Sequence, residues 1–298
     1  MDLSNLTTSP FGVTLAALLG RLLPLRAGIR VGYWWADRLV NHPESPDVQA
    51  VRLNHRILEG ERLSPAELDE RVRTVFRNSA RAVVETLHFQ SRPAEMLQWV
   101  EADEAMQGYI RLTREHDHGL VFTCPHTGNF DLAGRALGLM GLQAMIMAEP
   151  TPRADYNYQN RLRRKTGLNI RTISRESLRE AARFLEKGGS VLTGVDWPIG
   201  EKRFRPRFCG RPSLLPTAHI RLAVNACSPV VVVACHRKAD GRYRLSSSEI
   251  IPMRTGSSVT DTILSNTELV LEVAEGFIRQ DPAQWLLYRP VWEDHDAN

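Results

Sequence analysis

The segment Phe122-Thr-Cys-Pro-His-Thr-Gly-Asn-Phe-Asp131 decides the fold of this 298-residue chain. It continues an apolar run that starts at Gly119 and predicts a short buried strand. Pro125 ends that strand, and Gly128 with the asparagine after it permits a sharp turn. Residues 132–139 are then predicted to form a helix. The segment therefore predicts a strand, a tight turn and a helix in direct succession.

His126 is the candidate base of this segment, because it is expected at the exit of the strand, where an imidazole can take a proton from a hydroxyl group. Asp131, one helical turn further on, is the candidate carboxylate that fixes the tautomer of the ring and stabilises the imidazolium. The pair needs no protein nucleophile, since the hydroxyl group of a substrate can itself attack. The alternative is an ordinary strand-turn-helix with a structural histidine. Cys124 is a weak nucleophile candidate because its apolar neighbours favour core packing.

The His-x4-Asp spacing, with Gly128 and Asn129 inside it, resembles the signature of the glycerolipid acyltransferases. Within them it is most similar to the lipid A acyltransferase group and its mycobacterial mannosyl-phosphatidylinositol acyltransferase relatives. The resemblance implies that His126 and Asp131 are catalytic, and that acyl-coenzyme A or acyl carrier protein donates the acyl chain. It implies no metal and no prosthetic group. Backbone amides near Gly128 and Asn129, with Arg163, are expected to stabilise the oxyanion.

A second segment, Glu149-Pro150 followed by residues 156–167, resembles the next block of the same family. In that block an arginine lies a few residues before a glycine, so Gly167 selects Arg163, and a shift of one residue selects Arg164. The resemblance makes these arginines and Glu149 substrate-binding candidates. A guanidinium can contact phosphate or thioester oxygens through several donors. The alternative is a set of surface arginines in a basic helix.

Two later segments, residues 207–216 and 282–292, resemble the remaining blocks in the family's order. Asp196 lies between the second and third blocks, where the family commonly has an aspartate. It is a candidate for binding a substrate hydroxyl or for fixing an arginine of the site, and a structural cap at the strand end is the alternative. The mycobacterial relatives have a functional glutamate just before the third block, whereas this chain has Phe204-Arg-Pro-Arg207. The acceptor is therefore not expected to be the same mannolipid.

The distribution of charge along the chain indicates which classes of partner the protein can bind. Basic residues outnumber acidic ones in two stretches, 153–187 and 201–211, although the net charge is only +4. No nucleic-acid-binding module accompanies them, so nucleic acid is a poor candidate partner. A basic face suits anionic headgroups, the phosphates of coenzyme A or an acidic carrier protein.

The four cysteines show no paired or metal-ligand spacing, which favours free thiols in a reducing compartment.

The chain from Gly119 onward alternates strands and helices. This predicts an α/β fold with a largely parallel central sheet covered by helices, and with functional residues at the carboxyl ends of the strands. Residues 243–248 are expected to pair antiparallel with a strand at 229–235. Ser64-Pro-Ala-Glu67 predicts the capped start of a long amphipathic helix over 65–88. Residues 42–298 are expected to form one domain.

Residues 1–41 are predicted to be membrane-associating, with a hairpin of two helices at 10–22 and 26–41. The hairpin combines leucines with arginines and a tryptophan pair, a composition typical of a bilayer interface. We expect neither a signal peptide nor a complete span, because charges and Pro24 interrupt the apolar run. A hairpin packed on the core is the alternative, and both can hold. Together with the family resemblance, this leads us to expect a peripheral protein on the cytoplasmic face of the inner membrane.

The sequence therefore predicts an enzyme that transfers a fatty acyl chain from an acyl thioester to a hydroxyl or amino group of a membrane lipid or glycolipid. A thioesterase or other hydrolase is one alternative, since the same base can activate water. The chain contains no Gly-x-Ser-x-Gly nucleophile elbow, however. A non-catalytic lipid-binding protein is the other alternative, and it would not need the His126–Asp131 pair.

Overall fold

A computed structural model of the chain describes residues 9–60, 62–115, 119–150, 153–198 and 204–293. Residues 1–8 of the predicted hairpin segment and residues 201–203 of the second basic stretch lie outside the described residues. The α-helices within these ranges are α1 (Pro10–Leu22), α2 (Leu25–Val40), α3 (Pro46–Leu58), α4 (Pro65–His88), α5 (Pro93–Trp99), α6 (Glu104–Glu115), α7 (Phe130–Leu139), α8 (Ala154–Arg164), α9 (Arg175–Glu186), α10 (Ala218–Asn225) and α11 (Val259–Gln280).

The strands are β1 (Val100–Ala102), β2 (Val121–Cys124), β3 (Ala144–Ala148), β4 (Asn169–Thr172), β5 (Ser190–Gly194), β6 (Arg207–Phe208), β7 (Arg211–Pro212), β8 (Val230–Arg237) and β9 (Tyr243–Ser247). Seven of them form one sheet in the order β1-β9-β8-β2-β5-β3-β4. All neighbours in it are parallel except β8 and β9, which pair antiparallel as expected. The predicted fold class is confirmed.

The sheet is buried on both faces, because successive side chains of a strand point to opposite sides. On β2, Val121 packs with the cluster formed by α9, α10 and α11, whereas Phe122 packs with the cluster formed by α6 and α7. Both side chains are fully buried. This burial on both faces explains why β2 and β8 are near-continuous apolar runs in the sequence.

Strand order brings the functional residues to one edge of the sheet. β2 lies between β8 and β5, and β3 follows β5, so the carboxyl ends of β2, β5 and β3 are neighbours. His126 follows β2, Asp196 follows β5 and Glu149 follows β3. Ligands in open parallel sheets bind at such an edge. The three predicted site residues therefore lie at one edge of the sheet although the sequence separates them widely.

The long helix α4 joins the sheet to the N-terminal hairpin. It starts with the predicted capping box, in which the Ser64 hydroxyl accepts from the Glu67 amide and the Glu67 carboxylate accepts from the Ser64 amide. Helices α1 and α2 pack closely on α4 through small residues. A Cβ atom on Gly20 would lie 2.6 Å from Leu87 Cβ, and one on Gly28 would lie 2.9 Å from Val84 Cγ1.

The hairpin exposes its large apolar side chains while it buries its small ones. Phe11 is 73% exposed, Leu22 71% and Trp34 53%, whereas the buried positions of α1 and α2 are glycines and alanines. Within the described residues, no helix combines the length and the apolarity needed to cross a bilayer. The apolar surface of the hairpin therefore faces away from the protein core.

The glycine contact of α1 provides a stability test. We expect Gly20→Ala to destabilise the docked hairpin by about 1–3 kcal/mol, because the new methyl group overlaps the Leu87 backbone and neither helix can yield locally. Gly276→Ala is the matched control, since a Cβ there meets open space on α11, and it should stabilise by about 0.4–1 kcal/mol. Denaturation in detergent and protease cleavage of α1 measure both effects. Equal behaviour of the two variants would contradict the packing of α1 on α4.

Candidate active site

The turn that carries His126 is clamped by the C-terminal segment. The backbone N–H of Leu286 donates to the His126 carbonyl at 2.8 Å, and the N–H of Gly128 donates to the Gln284 carbonyl at 2.8 Å. Gly128 has φ +57°, and a Cβ atom there would lie 2.5 Å from the Cys235 carbonyl oxygen. Only glycine fits this position without displacing β8. The turn is therefore fixed from two sides before any substrate binds.

Asn129 joins the turn to α4. Its Oδ1 caps α7 by accepting from the Leu132 N–H at 3.1 Å. Its Nδ2 donates to the Ala82 carbonyl at 3.0 Å and to Glu85 Oε2 at 3.3 Å. The residue is 1% exposed. These bonds hold the start of α7 in place and leave the side-chain amide without a free donor or acceptor for substrate.

The predicted substrate-binding role of Gly128 and Asn129 is therefore corrected. The Gly128 amide already donates to the Gln284 carbonyl and is not free to serve as an oxyanion donor. The Asn129 side chain is bonded to α4 and to the start of α7. The Gly-Asn pair of the motif therefore builds the turn.

Asp196 is the direct partner of His126. Its Oδ1 lies 2.5 Å from His126 Nδ1, and its Oδ2 accepts from the His126 backbone N–H at 2.9 Å. The indole Nε1 of Trp285 donates to the same Oδ2 at 2.7 Å. Asp196 is fully buried. The structure thus corrects two expectations: Asp196, not Asp131, orients the imidazole, and its oxygens are used by protein donors and not by a substrate.

His126 and Asp196 shift each other's pKa, because each stabilises the charged form of the other. Burial alone would lower the pKa of His126, but the charge of Asp196 and its hydrogen bond outweigh burial and raise that pKa above its ordinary value. Burial likewise raises the pKa of Asp196, and the imidazolium charge together with the three hydrogen bonds overcomes it, so that pKa lies below its ordinary value. A carboxylate on Nδ1 leaves the lone pair of the neutral ring on Nε2.

Asp131 binds Arg163 and not the histidine. The guanidinium of Arg163 forms an ion pair with Asp131 through Nη2, and its Nη1 donates to Asn160 Oδ1 at 2.9 Å. The Arg163 Cζ also lies 5.8 Å from the centroid of the Tyr156 ring. The side chains of Arg163 and Asp131 are only 14% and 12% exposed. Arg164, the alternative choice from the sequence, is exposed on another side of α8.

Two aromatic rings enclose the imidazole. Phe130 meets the His126 ring edge-on with centroids 4.7 Å apart, and Trp197 lies 5.3 Å from it. These rings restrict the access of water, which strengthens the electrostatic interactions of the pair. The Arg289 guanidinium covers the Trp197 ring at 4.4 Å. The Nη1 of Arg289 lies 3.6 Å from Oε1 of Glu149.

Cys124 does not act as a nucleophile in this geometry. Burial, followed by the nearby charge of Asp196, raises the pKa of the Cys124 thiol to about 12. The thiol is therefore protonated near neutral pH, and the thiolate is the reactive form. All four cysteines are free: Cys235 is buried, Cys209 and Cys124 are half-buried, and Cys227 is exposed. No group of three or more metal-ligating side chains occurs in the described ranges.

Sequence reasoning missed three contributors to the site, namely Trp285, Trp197 and Arg289. Trp285 and Arg289 lie in the segment 282–292 that resembles the closing block of the family, and that resemblance was the available signal. Trp197 directly follows Asp196. The interactions that give these residues their roles are contacts between distant segments, which no local spacing expresses.

Comparison with known proteins identifies a family. The profile of the bacterial lipid A biosynthesis acyltransferases matches residues 49–294, which is most of the chain. No curated protein sequence matches the chain. Among solved structures, the 1-acyl-sn-glycerophosphate acyltransferase PlsC of Thermotoga maritima aligns over 83% of this chain and 94% of its own, with 15% identity and a TM-score of 0.36. A similarity of that size carries no argument about the site.

The pairing of His126 with Asp196 predicts a measurable change in titration. In Asp196→Asn, the pKa of His126 should fall below its ordinary value, because burial then acts without the opposing carboxylate charge. In Asp131→Asn the pKa should fall less, since Asp131 affects the ring only through its charge at a distance. NMR titration of labelled histidine measures both shifts. A larger fall in Asp131→Asn would show that Asp131 is the true partner of the ring.

Proposed function

The chain belongs to the bacterial lipid A biosynthesis acyltransferase family and is an acyltransferase, and we propose that it moves a fatty acyl chain from an acyl thioester to a hydroxyl or amino group of a membrane lipid or glycolipid. The observation that carries the proposal is the carboxylate of Asp196 on His126 Nδ1. It directs the basic lone pair to Nε2, which forms no hydrogen bond with any described residue. This is the arrangement of a general base.

The reaction needs no covalent enzyme intermediate. His126 Nε2 removes the proton of the acceptor hydroxyl while the oxygen attacks the thioester carbonyl, and Asp196 stabilises the resulting imidazolium. The tetrahedral intermediate then expels the thiolate of the donor, which takes the proton from His126. One C–S bond is broken and one C–O bond is formed. The base ends in its starting state, so the cycle requires only the two substrates.

We assign Arg163 to the developing negative charge on the thioester oxygen. The Gly128 amide already donates to the Gln284 carbonyl, so the cation whose charge acts on the His126 ring becomes the best remaining candidate. Its ion pair with Asp131 fixes the guanidinium beside the first turn of α7. In this proposal Asp131 acts by holding Arg163, and the His-x4-Asp motif supplies a base and the anchor of a cation. Arg164 is exposed and suits the headgroup of a bound lipid.

We propose that residues 1–41 attach the enzyme peripherally to the cytoplasmic face of the inner membrane, with residues 42–298 as the acyltransferase domain. The exposed phenylalanine, leucines and tryptophans of the hairpin support this role, since their apolar area has no partner within the described protein. Arg38 also covers the ring of Trp34 at 4.9 Å. Arginine beside tryptophan is typical of the headgroup region. Both acyl-coenzyme A and acyl carrier protein are available donors on that face.

The first test is acyl transfer from labelled palmitoyl-coenzyme A, and separately from palmitoyl carrier protein, to a total lipid extract. The wild type should label a lipid, and His126→Ala should lower the rate by about 10²–10⁴-fold because the base is lost. Donor binding should persist in the variant. Label appearing only in free fatty acid would favour a thioesterase. Binding without consumption of either donor would favour a lipid-binding protein.

The pH dependence of the rate provides a second test. A general base acts only in its neutral form, and the pKa of His126 is raised, so kcat/KM should fall as the pH drops through a value above 6.5, the ordinary pKa of histidine. In Asp196→Asn, the fall of kcat/KM on the acid side should occur at lower pH. The highest kcat/KM should also be lower, because the imidazolium loses its stabilising charge. If the pH at which kcat/KM falls is the same in Asp196→Asn as in the wild type, His126 is excluded as the titrating base.

A further inference from the structure

Arg289 is a cation on the rim of the site that the mechanism does not use. It lies in the C-terminal segment, three residues after the leucine whose amide bonds to the His126 carbonyl. Its Cζ covers the Trp197 ring at 4.4 Å, and that ring lies 5.3 Å from the imidazole. This cation–π contact holds the guanidinium on an aromatic ring that itself packs against His126.

The ion pair of Arg289 is loose, unlike that of Arg163. Its Nη1 lies 3.6 Å from Glu149 Oε1, which is beyond hydrogen-bond distance, and the side chain is 48% exposed. Arg163 is 14% exposed and hydrogen-bonded to its carboxylate. Arg289 donates no hydrogen bond to another described residue, and an exposed pair of this kind adds little stability. Its donors are therefore available to a ligand.

The two arginines are connected around the rim. The Glu149 backbone N–H donates to the Tyr156 hydroxyl at 2.9 Å, and Tyr156 lies against the Arg163 guanidinium. Glu149 thus links a buried, tightly paired arginine to an exposed, weakly paired one. The thioester and the acyl chain carry no charge, so the exposed cation has no role toward the reacting carbonyl itself. It is suited to an anionic group that another part of a substrate carries.

We propose that Arg289 binds a phosphate group of a substrate at the rim of the site and thereby determines which substrate is accepted. The planar guanidinium can bind phosphate through two parallel N–H donors, and the tryptophan beneath it fixes the plane of the fork. The phosphate belongs either to the acyl donor or to the acceptor lipid. The inference rests on the proposed acyl transfer.

The test compares Arg289→Gln with the wild type in steady-state kinetics, using two donors. Palmitoyl-coenzyme A carries phosphates, whereas palmitoyl-N-acetylcysteamine presents the same thioester without them. The acceptor is the lipid that becomes labelled in the transfer assay. The loss of a charged hydrogen bond should raise one KM by about 10–100-fold, with kcat little changed, because the contact is equally strong in the ground state and the transition state.

The two possible sources of the phosphate, the acyl donor and the acceptor lipid, give different kinetic results. If the donor phosphate is bound, the KM for palmitoyl-coenzyme A rises, and the KM for palmitoyl-N-acetylcysteamine does not. If the acceptor phosphate is bound, the KM of the lipid rises with either donor. Either pattern supports the proposal. Unchanged KM values for both substrates overturn it, and so does a fall in kcat alone, which would mean that Arg289 only supports Trp197.

Two further variants separate specific binding from general charge. Arg183→Gln removes the same charge from an exposed position of α9 and should leave each KM unchanged. Arg289→Lys keeps the charge without the fork and should restore part of the affinity. Thermal unfolding checks that all three variants are folded. A wild type that transfers no acyl group overturns the proposed function and this inference together, whereas an active wild type with an unaltered Arg289→Gln overturns the inference alone.

Discussion

The buried carboxylate of Asp196 is the interaction on which the site depends. A charge removed from water is costly unless donors replace its hydration. Here three N–H groups do so: the ring and the backbone of His126, and the indole of Trp285. These donors come from the turn after β2 and from the C-terminal segment. One carboxylate after β5 therefore joins three distant parts of the chain, and each part is required to satisfy it.

This constraint explains how firmly the turn that carries His126 is held. The C-terminal segment that brings Trp285 to Asp196 also pairs with the backbone of His126 and Gly128. On the opposite side, Asn129 is held by α4 through Glu85, a fully buried carboxylate that also accepts from the Tyr243 hydroxyl at 2.5 Å. The turn lies between two buried carboxylates, each of which accepts hydrogen bonds from protein donors on both oxygens. These bonds hold the His126 imidazole in the kind of fixed position that proton transfer requires of a base.

Local patterns predicted the elements of the fold well, because each depends on neighbouring residues. The two-sided strands followed from unbroken apolar runs, and the start of α4 followed from its capping box. The partner of His126 did not follow from any local pattern. Asp131 is close in sequence, but the first turn of α7 directs it toward Arg163 on α8. Asp196 is 70 residues away and meets His126 only because β5 lies next to β2. Strand order is a property of the whole sheet, and spacing within a motif does not contain it. For α11, the helical spacing of Ile263, Val270, Ala274 and Ile278, at intervals of seven, four and four residues, was present in the sequence but led to no prediction.

The contacts of Gln90 connect the hairpin to the candidate active site. This residue follows α4, and its Nε2 donates to the Ala17 carbonyl of α1 at 2.7 Å. Its Oε1 accepts from the hydroxyl of Tyr158, which lies on α8 together with Arg163. The hairpin, whose exposed apolar surface suits a bilayer, is thus connected through Gln90 to the helix that carries the buried arginine. If α1 lies on the membrane, the orientation of α8 relative to the lipid surface is set by these bonds. An acceptor that remains partly in the bilayer would then meet a site of fixed orientation, so the hairpin would contribute to the selection of the acceptor as well as to attachment.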